Sequence, residues 1–236
     1  MQFLVLLVLL PLAWGTPVVK NPMITEGLFE GDIKGIPVDA DRNAVPRDAQ
    51  RWPNGVIPYE VDSSRADTWN LIAGAMKHIQ DRTCIRFVRR TTERDYIRIV
   101  KENGCWSYWG RLGIGMQKLS LGSGCENHAV IVHELMHAIG FEHEHNRSDR
   151  DDYLIINWNN IQSQWHSAFQ KLRSDQNRLL TRFDYDSIMM YGEQSFSKGQ
   201  GYPSMSSKDG RHLPEAYNKP GLTNSDIQRV KILYQC

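Results

Sequence analysis

The sequence predicts an α+β fold built around one principal domain. In several short segments of the first half, apolar residues alternate with polar ones, as in strands; in others they recur three and four positions apart, as in helices. Strands and one helix come first and further helices follow, an order that is typical of α+β proteins. A chain of 236 residues is long enough to bury a substantial core in such a domain.

Composition narrows the classes of partner. The chain is 41% hydrophobic and 23% charged, with a net charge of +1, which is ordinary for a globular protein. A nearly neutral chain lacks the strong positive field that draws proteins to nucleic acids or anionic membranes. We therefore expect neither to be a main partner.

The first fifteen residues, MQFLVLLVLLPLAWG, are predicted to be a signal peptide. The apolar run from Phe3 to Leu12 is too short to cross a bilayer, and Ala13 and Gly15 provide the small residues of a signal-peptidase site. The basic residue usual near the start of such peptides is missing. Since no later segment is long and apolar enough to span a membrane, we expect a secreted, soluble protein.

Residues 16–42 are predicted to be a prosegment. Residues 1–42 carry three basic side chains against five acidic ones, so an acidic leader precedes a mildly basic body. The segment ends in DADR before NAVP, and Arg42 offers a cleavage point for a trypsin-like protease. The principal domain is therefore expected to comprise residues 43–236.

Three strands and a helix are predicted in the first part of this domain. GVIPYEV, which begins at Gly55, CIRFV and YIRIV read as strands, and the arginines of the last two are expected on a solvated sheet face rather than in a polyanion site. Ser64 and Asp67 are expected to cap the helix in SSRADTWNLIAGAMKHIQDR. The apolar stripe of this helix consists of Trp69, Ile72, Met76 and Ile79.

Two further elements are predicted downstream. GRLGIGMQKLSL has the glycine content and alternation of an edge strand, so an extended peptide is expected to pair with the chain between Gly113 and Leu121. Thr223 and Asp226 are expected to cap a last helix in LTNSDIQRVKILYQC. Its inward-facing residues are expected to be Ile227, Val230 and Tyr234.

The four cysteines are expected to form two disulfides, because a secreted protein folds in an oxidising compartment. Spacing alone leaves three pairings open among Cys84, Cys105, Cys125 and Cys236. A cysteine-based zinc site is the alternative, and no CxxC spacing supports it.

The segment VIVHELMHAIGFEHEHNRSDRD carries a candidate metal site. His133 and His137 are four residues apart, so on a helix their rings lie on one face and can share a Zn²⁺ ion. Glu134 is rotated by about 100° and can lie beside the metal as a base. Gly140 stands where helices commonly end in a left-handed residue, and the turn can bring His143 back as a third ligand. This H-E-x-x-H-x-x-G-x-x-H pattern leaves one coordination place open for water.

Two other interpretations of these histidines are a packed core cluster and a purely structural zinc site. Structural zinc usually has four protein ligands, often including cysteine. Chance produces the five fixed residues only on the order of a few times per hundred thousand chains of this length. His128 and His145 lie outside the pattern and are not expected to be ligands. Downstream, YDSIMMYG places Met189 where a methionine turn would lie beneath the metal.

With both motifs in place, the chain resembles the astacin family of zinc endopeptidases, a branch of the metzincins. The resemblance covers the body from Asn43 to Cys236, through HELMHAIGFEHEHNRSDRD, RWPNGVIPY, TCIRFV, GCWSYWGR and FDYDSIMMYG. RSDRDDYL and KPGLTNSDIQRVKILYQC are most similar to arachnid members, including spider venom proteases. The implied fold is a two-subdomain metzincin domain, with a twisted mixed sheet and the active-site helix above a mostly irregular and helical lower part.

The resemblance implies a role for each motif residue. One zinc ion per chain would be bound by His133, His137 and His143. Glu134 would be the catalytic base, Tyr191 would approach the zinc and then swing to stabilise the oxyanion, and Met189 would lie under the ligands. The family commonly has His after this methionine, whereas this chain has Met190. Because that position is not a metal ligand in the family, zinc binding should be unaffected. The resemblance does not predict the shape of the adjoining substrate pocket. The implied disulfides are Cys84–Cys236 and Cys105–Cys125.

The resemblance also implies latency and its release. Asp32, in FEGDI, matches a prosegment aspartate that reaches the zinc and displaces the catalytic water; an ordinary turn aspartate is the alternative. Cleavage after Arg42 would make Asn43 the new N-terminus, which would insert and link to Glu144. The acidic leader ending at Arg42 independently indicates the same cleavage point.

We therefore expect a secreted, monomeric zymogen of a zinc endopeptidase that hydrolyses internal bonds of extended polypeptides. Such an enzyme could be a venom protease that acts on extracellular matrix proteins, a digestive protease or a developmental enzyme. The alternatives are a catalytically silent, zinc-stabilised binding protein or toxin, which would usually have lost Glu134 or Tyr191, and a hydrolase of non-peptide substrates. Asn146 begins the sequon for N-glycosylation.

Overall fold

The structure is a computed structural model that describes residues 21–35 and 48–236. The predicted signal peptide and the predicted cleavage point at Arg42 and Asn43 lie outside these residues. The described strands are β1 (Ile33–Lys34), β2 (Val56–Val61), β3 (Arg86–Arg89), β4 (Tyr96–Val100), β5 (Cys105–Tyr108), β6 (Met116–Leu121), β7 (Leu154–Ile156) and β8 (Met205–Ser207). The α-helices are α1 (Trp69–Gln80), α2 (His128–Ile139) and α3 (Asn224–Tyr234).

A mixed sheet of six described strands forms the upper half, in the order β1-β5-β6-β4-β2-β3. β5 and β6 are antiparallel, and the other neighbouring pairs are parallel. α2 packs against α1 and against β5 and β6, and this packing places the histidine helix directly on the sheet. The predicted strands GVIPYEV, CIRFV and YIRIV correspond to β2, β3 and β4.

The lower half, after residue 140, consists mainly of short 3-10 helices and loops, with the small β7–β8 sheet and α3. One continuous core joins the two halves and extends from Met23 in the predicted prosegment to Leu233 in α3. The architecture is thus α+β with the expected two-part organisation. Within the described residues, no helix combines the length and apolarity that crossing a membrane requires.

α1 confirms the predicted apolar stripe but not its predicted cap. Ile72, Met76 and Ile79 are buried, whereas Asp67 has a 71% exposed side chain. Asp62, at the end of β2, accepts a hydrogen bond from the Ser64 N–H at 3.0 Å and starts a 3-10 helix ahead of α1. The predicted Ser64–Asp67 capping box is wrong because Asp62, two residues before Ser64, caps this 3-10 helix instead.

α3 begins with the predicted capping box. The Thr223 hydroxyl accepts from the Asp226 N–H at 3.1 Å, and the Asp226 carboxylate accepts from the Thr223 N–H at 3.1 Å. Val230 is buried as predicted, and Leu233 is buried in addition.

The arginines of β3 and β4 lie on a solvated sheet face, as predicted. Arg98, for example, is 43% exposed and pairs with Asp62.

The predicted edge strand between Gly113 and Leu121 is wrong. β6 lies inside the sheet, paired with β4 on one side and β5 on the other, so its main chain is not open to a peptide. The glycines of this segment serve the bend before β6, where Gly113 and Gly115 have φ values of 73° and 103° that favour glycine. Among the described strands of the body, β5 and β3 lie at the two ends of the sheet, and strand β1 of the predicted prosegment pairs with β5.

Two disulfides tie these parts together. Cys84 bonds to Cys236 and Cys105 bonds to Cys125, which is the pairing that the family resemblance implies. The first anchors the chain after α3 beside the start of β3, across 152 residues of sequence. The second joins β5 to the loop that leads into α2.

Candidate metal centre

Helix α2 carries two histidines into the interior. Asn127 caps the helix by accepting hydrogen bonds from the N–H groups of Ala129 and Val130, at 2.8 and 3.3 Å. Residues 129–139 are all buried, so α2 lies within the core and not at the surface. His133 and His137 lie one turn apart on the same face, with ring centroids separated by 4.7 Å.

Gly140 ends α2 and returns the chain toward these rings. Its φ of 121° lies in the region that favours glycine, and its N–H donates to the His137 carbonyl at 2.9 Å. After the turn, Nε2 of His143 lies 3.2 Å from Nε2 of His137 and 3.3 Å from Nε2 of His133. The structure therefore brings the three predicted histidines together.

The partners of the opposite ring nitrogens define the state of the three imidazoles. Each Nδ1 donates at 2.7 Å to an oxygen: His133 to the carbonyl of Ile188, His137 to the carbonyl of Phe141, and His143 to the carboxylate of Glu30. With the proton on Nδ1, a neutral ring presents a lone pair from Nε2. Three lone pairs that converge in a buried site need a cation between them.

Asp32, in the segment predicted to be a prosegment, supplies a fourth atom. Its carboxylate oxygens lie 3.2 Å from His133 Nε2, 3.4 Å from His137 Nε2 and 3.2 Å from His143 Nε2, and the four ligand atoms all lie within 4.8 Å of one another. Tetrahedral zinc with bonds of about 2.0–2.1 Å requires ligand separations of about 3.3–3.4 Å. The donor set therefore fits one zinc ion in both chemistry and spacing.

The electrostatics of Asp32 also fit a bound cation. The side chain is fully buried, and Oδ1 has no hydrogen-bond partner among the described residues. Burial opposes ionisation, but the neighbouring His143 and His137 outweigh it and hold the pKa of Asp32 well below its usual range. A buried carboxylate in that state is normally paired with a cation or a metal.

Glu134 lies beside the cluster without a structural partner. It is fully buried, and neither carboxylate oxygen has a hydrogen-bond partner within residues 21–35 and 48–236. Burial, reinforced by the charge of Asp32, raises the pKa of Glu134 well above its usual value. Buried carboxyl groups with such perturbed pKa values and no packing partner are concentrated at functional sites.

Tyr191 contacts the same carboxylate from the other side. Its hydroxyl donates to Asp32 Oδ2 at 2.5 Å, and its ring centroid lies 4.6 Å from that of His143. Burial, with the Asp32 carboxylate next in importance, raises the pKa of Tyr191 well above its usual value. The phenol is therefore a protonated hydrogen-bond donor aimed at the metal position.

The methionine turn lies beneath the histidines. Met189 and Met190 are both buried, and the Met189 carbonyl accepts a hydrogen bond from the Glu144 N–H at 2.9 Å. The neighbouring Ile188 carbonyl is the acceptor for His133. The turn thus supports the metal centre through its main chain.

Two charged residues that sequence reasoning did not single out for the site hold this turn from below. The Asp226 carboxylate accepts from the Ser187 hydroxyl at 2.6 Å and from the Ile188 N–H at 3.0 Å. The buried Lys219 ammonium donates to the carbonyls of Ser187 and Met190, at 2.8 and 2.7 Å. Asp226 was recognised only as a helix cap, and Lys219 carries no local sequence signal.

Glu144 lies in a buried ion-pair network behind His143. Arg229 donates to its two carboxylate oxygens at 2.6 and 2.7 Å, Arg147 donates at 3.0 Å, and the Asp184 N–H donates at 2.8 Å. Burial raises the pKa of Glu144 even though both arginines act to lower it. Its expected partner, Asn43, lies outside the described residues.

The predicted prosegment reaches the centre by extending the sheet. β1 runs parallel to β5, and Ile33 pairs with Ser107. The Ser107 N–H donates to the Asp32 carbonyl at 3.0 Å, which fixes the main chain of Asp32 beside the histidines. Phe29 and Ile33 pack with Trp109 in a small apolar cluster. The carboxylate of Asp32 is therefore held in place by main-chain pairing and apolar contacts.

The remaining sequence candidates lie elsewhere. His145 Nε2 contacts the Ala168 carbonyl at 3.2 Å, and the His128 ring packs edge-on against His78; neither belongs to the metal-capable cluster of the described residues. Asn146 is fully buried, and its amide donates to the carbonyls of Ala168 and Gln170, both at 2.9 Å. A glycan on Asn146 is therefore incompatible with this fold. The sequon gives the residue types for glycosylation but does not indicate whether the asparagine is buried.

Comparisons with known proteins match this arrangement. The family model for Astacin, a peptidase family, matches residues 44–235. The chain is 40% identical to astacin-like metalloprotease toxin 1 of Loxosceles intermedia, over 93% of this chain and 84% of that protein. It is 46% identical to high choriolytic enzyme 2 of Oryzias latipes, over 77% of this chain and 64% of that protein. The solved structure of high choriolytic enzyme 1, a hatching enzyme zinc-protease of medaka (Oryzias latipes), has a TM-score of 0.72 at 42% identity and covers 79% of this chain and 93% of that one.

Proposed function

This chain belongs to the astacin family and is a zinc metalloendopeptidase, and from that premise we propose that it is a secreted zymogen whose prosegment blocks the metal through Asp32. The observation that carries the proposal is the convergence of an Asp32 carboxylate and three histidine nitrogens within 4.8 Å. A carboxylate at the fourth position excludes the water that hydrolysis needs. The two disulfides agree with folding in an oxidising, extracellular route.

In the active enzyme, His133, His137 and His143 hold the zinc and Asp32 is absent. Bound there, zinc supplies a Lewis acid and lowers the pKa of a water ligand to about 7. The Nδ1 hydrogen bonds of His133 and His137 to the carbonyls of Ile188 and Phe141 orient these two rings and increase their basicity as ligands. The buried methionine turn excludes water from the underside of the centre.

Glu134 moves the proton. Once the prosegment leaves, the carboxylate charge of Asp32 no longer raises its pKa, and Glu134 remains a base held beside the metal. It accepts the proton of the attacking water and passes it to the leaving amine, as a general base and then a general acid. In the latent state no described residue donates a hydrogen bond to the carboxylate oxygens of Glu134. Glu134 can therefore take this role without breaking a structural contact.

Tyr191 stabilises the oxyanion. In the latent state its hydroxyl donates to a carboxylate oxygen of Asp32, which marks where negative charge can be accommodated. In the active enzyme the same donor serves the developing oxyanion of the scissile carbonyl. Removing one such donor typically costs about 3–4 kcal/mol of transition-state stabilisation.

The substrate is an extended polypeptide that pairs with β5. The prosegment already uses the main chain of β5 at Ser107 and Tyr108, and a substrate strand takes this edge after the prosegment departs. This location replaces the one near Gly113 to Leu121 that the sequence suggested. Extracellular matrix proteins are candidate substrates, and the similarity to a protein named as a metalloprotease toxin supports a venom role.

After signal peptidase has removed residues 1–15, activation is cleavage after Arg42 by a trypsin-like protease, which separates prosegment 16–42 from a monomeric peptidase domain, 43–236. The new N-terminus at Asn43 inserts toward Glu144. A cavity of about 70 Å³ next to Glu144 and Arg229 supports this step, since a buried carboxylate beside free volume can receive an ammonium group. The bound N-terminus then stabilises the wall of the substrate cleft.

Two variants test the proposal in a casein assay with and without a chelator. Glu134→Ala should keep stoichiometric zinc and the fold but lose nearly all activity of the cleaved enzyme; undiminished turnover would exclude the mechanism. Asp32→Ala should make the uncleaved chain active, while uncleaved wild type stays silent. A cleaved wild-type chain that binds zinc but never hydrolyses protein would favour a zinc-stabilised binding protein or toxin.

A further inference from the structure

Glu30 is a second prosegment carboxylate at the metal centre. Its Oε2 lies 2.7 Å from Nδ1 of His143, on the side of the ring opposite to the metal position. Asp32 approaches the other nitrogen, with Oδ1 3.2 Å from Nε2. The His143 ring is therefore held between two carboxylates that come from the same short loop.

The loop that presents these carboxylates has an unusual backbone. The N–H groups of Phe29 and Ile33 each donate to the carbonyl of the other, at 3.1 and 2.9 Å, and close the loop. Glu30 has a φ of 51°, a left-handed conformation that a residue with a Cβ rarely adopts. Glycine would adopt it more easily, so the glutamate side chain must contribute something that outweighs the strain. The Glu30 side chain is only 3% exposed and contacts His143, so we assign the contribution to this hydrogen bond.

The charges around the centre are balanced by this arrangement. Three neutral imidazoles and the carboxylates of Asp32 and Glu30 together neutralise one divalent cation. A carboxylate that accepts the distal N–H of a metal-bound histidine fixes its tautomer and raises its basicity as a ligand. Departure of the prosegment removes both negative charges at once and leaves a more electrophilic metal.

We propose that Glu30 is a positioning residue that acts through His143 to tighten zinc binding in the uncleaved chain and is lost on activation. The inference rests on the proposed latency through Asp32 and deepens it. The prosegment contacts the metal with one carboxylate and strengthens a metal ligand with the other. Activation thereby converts a tightly held, neutralised centre into a more weakly held and more reactive one.

The test is zinc release from the uncleaved, zinc-loaded chain to a chromogenic chelator. Removing such a partner of a metal ligand typically costs about 10–100-fold in metal affinity, so Glu30→Ala should bind zinc about 10–100-fold more weakly than wild type. Glu30→Gln, whose amide oxygen still accepts the hydrogen bond without the charge, should fall between them. Glu26→Ala is the matched control, because Glu26 is an exposed carboxylate of the same segment, and it should release zinc as wild type does.

Cleavage supplies an internal control. Once the prosegment is removed, the wild-type and variant chains are identical and should release zinc at one common rate, faster than the uncleaved wild type. Equal zinc affinity in uncleaved Glu30→Ala, Glu30→Gln and wild type would overturn the proposal, as would a difference that persists after cleavage. If those chains behave alike while uncleaved Asp32→Ala is active, latency through Asp32 stands and only the role of Glu30 fails. If uncleaved Asp32→Ala remains silent, the proposed latency itself fails.

Discussion

Arg229→Met should reveal how strongly the fold behind the metal centre depends on one buried ion pair. Arg229 and Glu144 have side chains only 7% and 3% exposed, and two hydrogen bonds of 2.6 and 2.7 Å join them. Methionine preserves much of the length and apolar volume but removes both donors. The carboxylate then keeps the Arg147 guanidinium and the Asp184 N–H as partners.

The expected magnitude follows from these contacts. Hydrogen bonds to charged groups contribute about 1.5–3 kcal/mol each, and removing one partner of a buried ion pair costs about 3–5 kcal/mol. Arg147 remains to compensate part of the loss, so we expect the free energy of unfolding to fall by about 3 kcal/mol, the lower end of that range. Such a loss is a large fraction of the roughly 5–15 kcal/mol that stabilises a typical domain.

The assay is equilibrium unfolding in urea, followed by tryptophan fluorescence, on the uncleaved, zinc-saturated chain with its disulfides intact. Lys77→Met is the control, because Lys77 pairs with Asp81 at the surface, where the two side chains are 72% and 50% exposed. Exposed pairs of this kind contribute little to stability because solvent and salt screen their charges. A loss in Arg229→Met no larger than in Lys77→Met would refute the reasoning from burial.

Three further changes are expected to have measurable effects. Hydrogen bonds from Ser64, with a smaller effect of Arg98, lower the pKa of Asp62 to about 2. Because the pKa of Asp62 is lower in the folded than in the unfolded chain, the ionised carboxylate stabilises the fold fully above about pH 4. This stabilisation is lost as the pH falls toward about 2. Asp62→Asn should therefore flatten that part of an acid-unfolding curve recorded by circular dichroism, and an unchanged curve would contradict the assignment. Replacing Cys105 and Cys125 together by serine should lower stability by about 3 kcal/mol on the chain-entropy estimate, measurable as a lower urea midpoint. Gly140→Ala should cost about 1–2 kcal/mol through its backbone conformation, since the nearest side-chain atom to an added Cβ is 3.9 Å away; an unchanged thermal midpoint would contradict this.

The features that sequence reasoning predicted correctly are those with local signatures. The spacing of His133 and His137 gives the shared helical face, and Gly140 gives the turn, because both depend only on backbone periodicity and conformation within a few residues. Thr223 and Asp226 form a capping box for the same reason. The α+β class likewise follows from the order of such local patterns.

The errors concern relations between distant segments. The alternation of β6 is compatible with an edge or an interior strand, and only its pairing with β4 and β5 distinguishes them. Burial of Asn146 depends on the chain near Ala168, which no sequon reveals. The contacts of Glu30 with His143 and of Lys219 with the methionine turn join residues far apart in sequence, so neither was recognisable before the fold was known.

The dependence of the centre on α3 has a consequence for biosynthesis. α3 supplies Arg229 and Asp226, which hold Glu144 and the chain at Ile188, and Cys236 bonds covalently to Cys84. These groups leave the ribosome after every ligand histidine, whereas the carboxylates of Glu30 and Asp32 leave it before them. On the latency proposed for Asp32, the nascent chain makes its own inhibitor first and the support of its metal site last, and each molecule would already be restrained when the peptidase domain closes around the ion.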